Sequence, residues 1–102
     1  MDNKTYNGWS TYATWRIKLE MLDSWADYHM DGGEYERFDS VGALADHLKD
    51  YAEEQIENYI ERGDGVNLAR DYALAFLADV NWHEIAGSIA EDYPSLLESN
   101  HA

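Results

Sequence analysis

The sequence contains no cysteine, a single proline, few basic side chains and no long apolar run. The lack of cysteine excludes disulfide bonds and thiolate metal sites, and it is compatible with a reducing compartment. A membrane-spanning helix needs about 18 or more consecutive apolar residues, which the chain does not offer. The opening stretch MDNKTYNG also lacks the apolar core of a signal peptide. We therefore expect a cytoplasmic protein that does not enter a membrane.

Basic residues are scarce relative to acidic ones. Seven Lys and Arg face 21 Asp and Glu, which gives a net charge of −14 on 102 residues. Such a surface repels phosphate backbones and anionic lipids, so we expect no direct contact with nucleic acid or with a membrane. It favours basic partners, including proteins that themselves bind nucleic acid. The alternative is that the charge only keeps the protein in solution.

Apolar residues recur with the helical period in four segments, and strand signals are nearly absent. The segments cover about 11–28, 41–62, 67–79 and 81–93, and a glycine-containing loop, DGGEYERFDS, follows the first of them. The pattern predicts one all-α domain over residues 1–102, a compact bundle of four main helices. Residues 95–102 are predicted to form a loose tail or a short turn.

Each predicted helix has an apolar face, and three of them have a recognisable start. Ser10 or Thr11 can cap the first helix and Ser40 the second, while Asn81 and Glu84 have the spacing of a capping box. The predicted core combines the apolar faces of the four helices: Tyr12, Trp15, Leu19, Leu22, Trp25 and Ala26; Val41, Leu44, Ala45, Leu48, Ala52, Ile56, Tyr59 and Ile60; Leu68, Tyr72, Phe76, Leu77 and Val80; Trp82, Ile85, Ala86 and Ile89.

The second predicted helix carries acidic residues within about 100° of its circumference, opposite the apolar face. We call this set the acidic face; its members are Asp46, Asp50, Glu53, Glu54, Glu57 and Glu61. It extends for about 22 Å, with Lys49 and Arg62 as the nearby cations. Like charges at this spacing repel, and carboxylates so spaced resemble phosphates along a DNA strand. The acidic face predicts contact with a basic groove built for DNA; the alternative is a solvated helix surface.

The stretch YNGWSTYATW, residues 6–15, is the densest aromatic cluster of the chain. In a structural interpretation, Gly8 permits a tight turn, Trp9 folds back over the bundle, and Tyr12 and Trp15 join the core. In a functional interpretation, the aromatic side chains form an exposed contact for a protein partner. We favour the structural interpretation because a bundle of four short helices needs large side chains to fill its centre.

The sequence predicts no catalytic residue, no metal site and no cofactor. Its four histidines do not form an H-E-x-x-H motif, and RGDGVN lacks the ending of a phosphate-binding loop. Asp46, His47 and Asp50 share one side of a helical turn, as surface residues often do by chance. The acids of DGGEYERFD lack the order of a calcium-binding loop. We therefore do not expect an enzyme.

Two stretches resemble a known family. NGWSTYATWRIKLE, residues 7–20, resembles the N-G-W-x-x-Y-x-T-W opening of small uncharacterised proteins of phages and mobile elements, and DVNWHEIAGSI, residues 79–89, resembles their N-W-x-E-I-A block. The resemblance implies a phage accessory gene. Small acidic proteins in that setting are often counter-defence factors, including anti-CRISPR and antirestriction proteins that mimic DNA. This implication is associational, because a gene's setting does not determine its function.

Charge, acidic face and resemblance together predict a non-enzymatic inhibitor in the host cytoplasm. Its predicted partner is a basic, nucleic-acid-binding defence complex, such as a CRISPR-Cas effector or a restriction enzyme. The alternative is a small phage accessory module that binds a protein through an exposed aromatic patch around Trp9 and Tyr12, without DNA mimicry. The sequence leaves the target and the oligomeric state open.

Overall fold

The computed structural model describes residues 6–31, 37–59 and 67–97. The described elements are α1 (Tyr12–Ile17), a π-helical segment (Lys18–Leu22), α2 (Asp23–Asp31), α3 (Val41–Tyr59), α4 (Asn67–Ala78), α5 (Trp82–Asp92) and a 3-10 turn (Pro94–Leu96). The first three follow one another without a break, so the described residues form four main helices. Within these described ranges the backbone pairs in β fashion only at two isolated bridges. The predicted all-α bundle is confirmed.

The helices begin where the sequence predicts caps. The hydroxyls of Thr11 and Ser40 each accept a hydrogen bond of 3.1 Å from the backbone amide three residues further on. Asn81 Oδ1 accepts one from the amide of Glu84 at 3.0 Å. Each side chain thereby satisfies an amide that has no partner within its own helix.

The core lies mainly between α3 and α5, with α1, α2 and α4 packed around them. Leu44 and Leu48 of α3 and Ile85 and Ile89 of α5 are almost completely buried. Because α3 turns its apolar side toward α5, the opposite side of the same helix must point away from α5. The remaining buried apolar residues are Ala13, Leu22, Trp25, Ala26, Phe38, Ala45, Ala52, Leu77, Val80, Ala86, Ala90 and Leu96.

The predicted core of the first helix is wrong in its first half. Tyr12 is 42% exposed and Leu19 is 50% exposed, and Trp15 is half-buried. The cause is the π-helical segment, since a π turn holds more residues than an α turn and rotates all later residues. Ile17 and Leu22, five positions apart, therefore both pack in the core. A uniform helical period across this segment aligns the wrong residues.

The predicted inward face of α4 is also wrong in part. Leu77 is buried, but Leu68 and Tyr72 are 59% and 68% exposed, and Phe76 is exposed as well. The helix has two apolar rows, and the row that contains Leu74 and Leu77 is the one that packs in the core. Periodicity alone does not decide which of two rows becomes buried.

Pro94–Leu96 form a short 3-10 turn, which agrees with the short turn predicted as the alternative to a loose tail. Leu96 is completely buried, and its carbonyl accepts a hydrogen bond of 2.7 Å from the amide of Phe38. The contact holds the 3-10 turn against the segment that leads into α3. Residues 98–102 lie outside the described residues, as do residues 32–36 of the predicted glycine loop.

Candidate partner-binding surfaces

The acidic face lies on the side of α3 opposite the buried Leu44 and Leu48. Asp46, Asp50 and Glu54 are exposed, and Glu53 is half-buried. These four carboxylates occupy about two and a half turns of a helix whose other side is buried, so their positions are fixed by the core. Glu61, the last predicted member, lies outside the described residues.

Glu57 differs from the other members of the acidic face, because it pairs with α4. Its Oε2 accepts hydrogen bonds from Arg70 Nε at 2.9 Å and from Arg70 Nη2 at 2.6 Å. The hydrogen bond and the charge of Glu57 raise the pKa of Arg70 above its ordinary value. Neighbouring positions in the sequence give Lys49 and Arg62 as nearby cations but not Arg70, which tertiary packing brings from thirteen residues away. Partner binding through Glu57 therefore competes with an internal ion pair.

Other basic side chains are likewise engaged within the fold. Arg16 bonds Glu20 at 2.5 Å and donates to the Tyr12 hydroxyl at 2.6 Å. These two contacts raise the pKa of Arg16. Lys18 pairs with Asp23 and lies over the Trp9 ring. These cations lie on α1, the π-helical segment and α4, whereas Lys49 is the cation that α3 itself carries beside its exposed carboxylates.

The opening motif begins with a tight turn. Asn7 and Gly8 have φ values of +52° and +92°, and Tyr6 and Trp9 exchange backbone hydrogen bonds of 3.2 and 2.8 Å. Positive φ at both central positions is what an Asn-Gly hairpin turn requires. Trp9 then packs, half-buried, against the core. The predicted turn at Gly8 and the return of Trp9 to the bundle are confirmed.

The two motif blocks contact each other through hydrogen bonds. Ser10 donates to Glu84 Oε1 from its hydroxyl at 2.6 Å and from its amide at 3.3 Å. The Asn81 amide donates to Thr14 Oγ1 at 2.8 Å, and Thr11 Oγ1 donates to the Asp79 carbonyl at 2.9 Å. In a capping box the Asn81 backbone amide would donate to the Glu84 carboxylate. Here that amide donates to Thr14 instead, while the Asn81 side chain still accepts from the Glu84 amide. These contacts give both blocks a structural role.

Aromatic side chains nevertheless remain exposed near the opening motif. Tyr12 contacts Tyr6 and Phe76 edge to face, with ring centroids 5.8 and 6.3 Å apart. Tyr72 and Leu68 continue the row along α4 at four-residue intervals. We call this set, Tyr6, Tyr12, Leu68, Tyr72 and Phe76, the aromatic patch. It extends the predicted alternative surface, but Tyr12 rather than the half-buried Trp9 belongs to it.

A groove of about 730 Å³ lies between α2 and α3. The Trp25 ring forms its base and stacks on His29 with centroids 4.5 Å apart. His47 lies at the edge of the same cluster, 5.8 Å from Trp25. We call this the α2–α3 groove; it is lined by Ser24, Trp25, Asp27, Tyr28, His29 and Tyr51. Sequence reasoning missed it, because its two walls come from helices separated by the loop.

The described residues contain no group of three or more histidine, aspartate or glutamate side chains arranged to hold a metal ion. His47 contacts Trp25 and Phe38 rather than forming a site with Asp46 and Asp50. In the same part of the chain, no helix is long and apolar enough to cross a bilayer. The candidate surfaces are therefore the acidic face, the aromatic patch and the α2–α3 groove.

Comparison with known proteins adds no further site. No protein-family model, curated protein or solved structure matches this chain. The candidate surfaces therefore depend on the geometry and the charge of this chain alone.

Proposed function

We propose that this protein is an acidic, non-enzymatic inhibitor that binds a basic, nucleic-acid-binding surface of a host defence complex. The observation that carries the proposal is the row of exposed carboxylates on α3, in a protein with a net charge of −14. A rigid helix with one acidic side fits a lysine- and arginine-lined groove that otherwise holds phosphates. Such a contact forms quickly and weakens with salt.

The same row costs the protein stability, which supports a role beyond solubility. Asp46, Asp50 and Glu54 succeed one another at four-residue intervals, where like charges destabilise a helix by a few tenths of a kcal/mol per pair. Arg70 relieves the repulsion only at Glu57 among the described members. Solubility alone is served as well by interspersed charges.

The counter-defence part of the proposal rests on the resemblance of residues 7–20 and 79–89 to a phage family. The hydrogen bonds between these two stretches give Ser10, Thr14, Asn81 and Glu84 a role in folding. The target would be a CRISPR-Cas effector or a restriction enzyme, reached in the host cytoplasm.

The test is capture of partners from a lysate of bacteria that carry defined CRISPR-Cas and restriction systems. Bound proteins are identified by mass spectrometry after washes at low and high salt. We expect a nucleic-acid-binding complex that elutes with salt and that free duplex DNA displaces. A triple variant, Asp46→Lys, Asp50→Lys and Glu54→Lys, should lose this complex while its helical signal stays unchanged.

A matched control separates the acidic face from net charge. Asp79→Lys, Glu91→Lys and Asp92→Lys make the same change in charge at exposed positions outside α3. The control variant should retain the complex at moderate salt. If both triple variants lose the complex equally, the effect comes from overall charge. If both retain the complex equally, the acidic face does not contact the partner.

A second candidate function is favoured by the aromatic patch. A small phage accessory module could bind a protein partner through Tyr12, Phe76 and Tyr72, without DNA mimicry. Such a contact would resist high salt, because apolar burial is not screened by ions. A partner that stays bound in high salt and is lost in Tyr72→Ala would favour this function over the first.

A further inference from the structure

We propose that the α2–α3 groove binds the guanidinium group of an arginine side chain supplied by the protein partner. The inference rests on the proposed function, because it names a side chain of the basic partner. It assigns a second, more specific contact beside the acidic face. The acidic face attracts positive charge in general, whereas the groove has the shape and chemistry to select one cation.

The groove combines aromatic surface with a carboxylate. Tyr28 is 87% exposed, and Tyr51 of α3 is half-buried on the facing wall. Asp27, adjacent to Tyr28 in the chain, is also exposed within the groove, and the Tyr93 hydroxyl lies 3.5 Å from its Oδ1. None of the described residues that line the groove is lysine or arginine. The carboxylate is thus open to a cation from outside.

Arginine fits this combination better than lysine does. Its planar guanidinium stacks on aromatic rings and donates two parallel hydrogen bonds to a carboxylate. Lysine offers a compact and strongly hydrated charge that gains less from a stacked ring. A cation over a tyrosine ring is attracted by the negative face of the ring. The residues of the groove supply both interactions to one ligand.

The position of the groove connects it with the acidic face. Tyr51 follows Asp50 in the chain and precedes Glu54 by three residues, so a helical projection places it beside the exposed carboxylates of α3. A basic surface that lies along Asp50 and Glu54 therefore has side chains within reach of Asp27 and Tyr28. Arginine from the same partner surface can enter the groove without a second docking event.

The test needs no partner, because the probe is N-acetyl-arginine amide. We would titrate it into the protein with isotope-labelled tyrosine and tryptophan and follow the ring signals of Tyr28, Tyr51 and Trp25 by NMR. We expect saturable shifts confined to these rings. N-acetyl-citrulline amide has the same shape without the charge and should cause no saturable shift; N-acetyl-lysine amide should bind more weakly.

Matched variants separate a specific site from the general attraction of an acidic protein. Asp27→Asn should weaken arginine amide binding about fivefold or more, whereas Asp79→Asn, with the same loss of charge at the α4–α5 turn, should leave it unchanged. Tyr28→Leu should weaken it about threefold or more, whereas Tyr72→Leu on the aromatic patch should not. Both groove residues are exposed, so circular dichroism should show that the variants fold.

The outcomes for the groove and for the acidic face are distinguishable. Shifts spread over all tyrosines, equal binding of citrulline or lysine amide, or equal effects of Asp27→Asn and Asp79→Asn would each overturn the guanidinium site. These results would leave capture through the acidic face untouched. Once a partner has been identified, Tyr28→Leu should weaken its capture, whereas Tyr72→Leu should not. Equal capture by both variants would show that no arginine of the partner occupies the groove.

Discussion

Two adjacent residues, Asn7 and Gly8, fix the direction in which the chain enters the bundle. Both have positive φ, and the turn they form directs Trp9 back toward the core and leads into the cap at Thr11. Asparagine tolerates this conformation better than most residues, and glycine adopts it without steric cost. The requirement explains why an N-G pair precedes the first tryptophan.

Gly8→Ala should lower the free energy of unfolding by about 1–2 kcal/mol, measured by urea denaturation. No atom lies within 4 Å of a Cβ placed at Gly8, so the expected loss comes from its φ of +92° and not from a clash. Gly87→Ala is the matched control, because its Cβ also meets open space and the residue lies within α5. There alanine should stabilise the helix by about 0.5–1 kcal/mol. Equal changes at both positions would contradict the role of the turn.

At the scale of elements, the π-helical segment determines which side of the first helix is buried. It places Leu22 and Trp25 in the core while Leu19, at apparently suitable spacing, stays exposed. The extra residue in the turn acts as an insertion into a regular helix, and such insertions are common at sites under selection for function. The two halves of this helix are therefore rotated relative to a uniform α-helix.

Deletion of Leu19 should be tolerated, with a loss of less than about 2 kcal/mol in unfolding free energy. Without this residue, Ile17 and Leu22 would be four positions apart, and a regular α-helix would present both to the core. Deletion of Lys49, an exposed residue in the middle of α3, should instead abolish cooperative thermal unfolding, because it turns Ala52 and Ile56 away from α5. Equal loss of the fold in both deletions, seen by calorimetry, would refute this account.

The elements themselves could be predicted from the sequence much better than their buried faces. Caps at Thr11, Ser40 and Asn81 are local signals, and each is confirmed by a hydrogen bond three residues away. The buried side of a helix depends on which neighbour covers it, and the exposed row of α4 had no local signal. The acidic face could be located from periodicity, but the α2–α3 groove requires two helices to meet.

At the scale of the whole molecule, three cations are held by internal ion pairs outside α3. Arg16, Lys18 and Arg70 are held by internal contacts on α1, the π-helical segment and α4, while the carboxylates at Asp46, Asp50 and Glu54 face outward from α3. Internal pairing uses cations that could have screened the acidic face. Lys49 is the cation that remains on α3 itself beside these carboxylates.

The protein should become more stable as the salt concentration rises from about 0.01 to about 1 M. If salt screens about four like-charge pairs on the acidic face, the free energy of unfolding should increase by roughly 1 kcal/mol. Urea denaturation in sodium chloride measures the effect. The triple variant with Asp46→Lys, Asp50→Lys and Glu54→Lys has a smaller net charge and should respond less to salt. An identical response in both proteins would place the repulsion elsewhere on the surface.

The hydrogen bonds between the two motif blocks also set an order of events during synthesis. Ser10, Thr11 and Thr14 bond to residues that follow them by 74, 68 and 67 positions. At ribosomal speeds of about 5–20 residues per second, these partners are made roughly 3 to 15 seconds later. The capped first helix emerges early, but its hydrogen bonds to Asp79, Asn81 and Glu84 form only when α5 has left the ribosome. A nascent chain that stops before Glu84 cannot close the bundle.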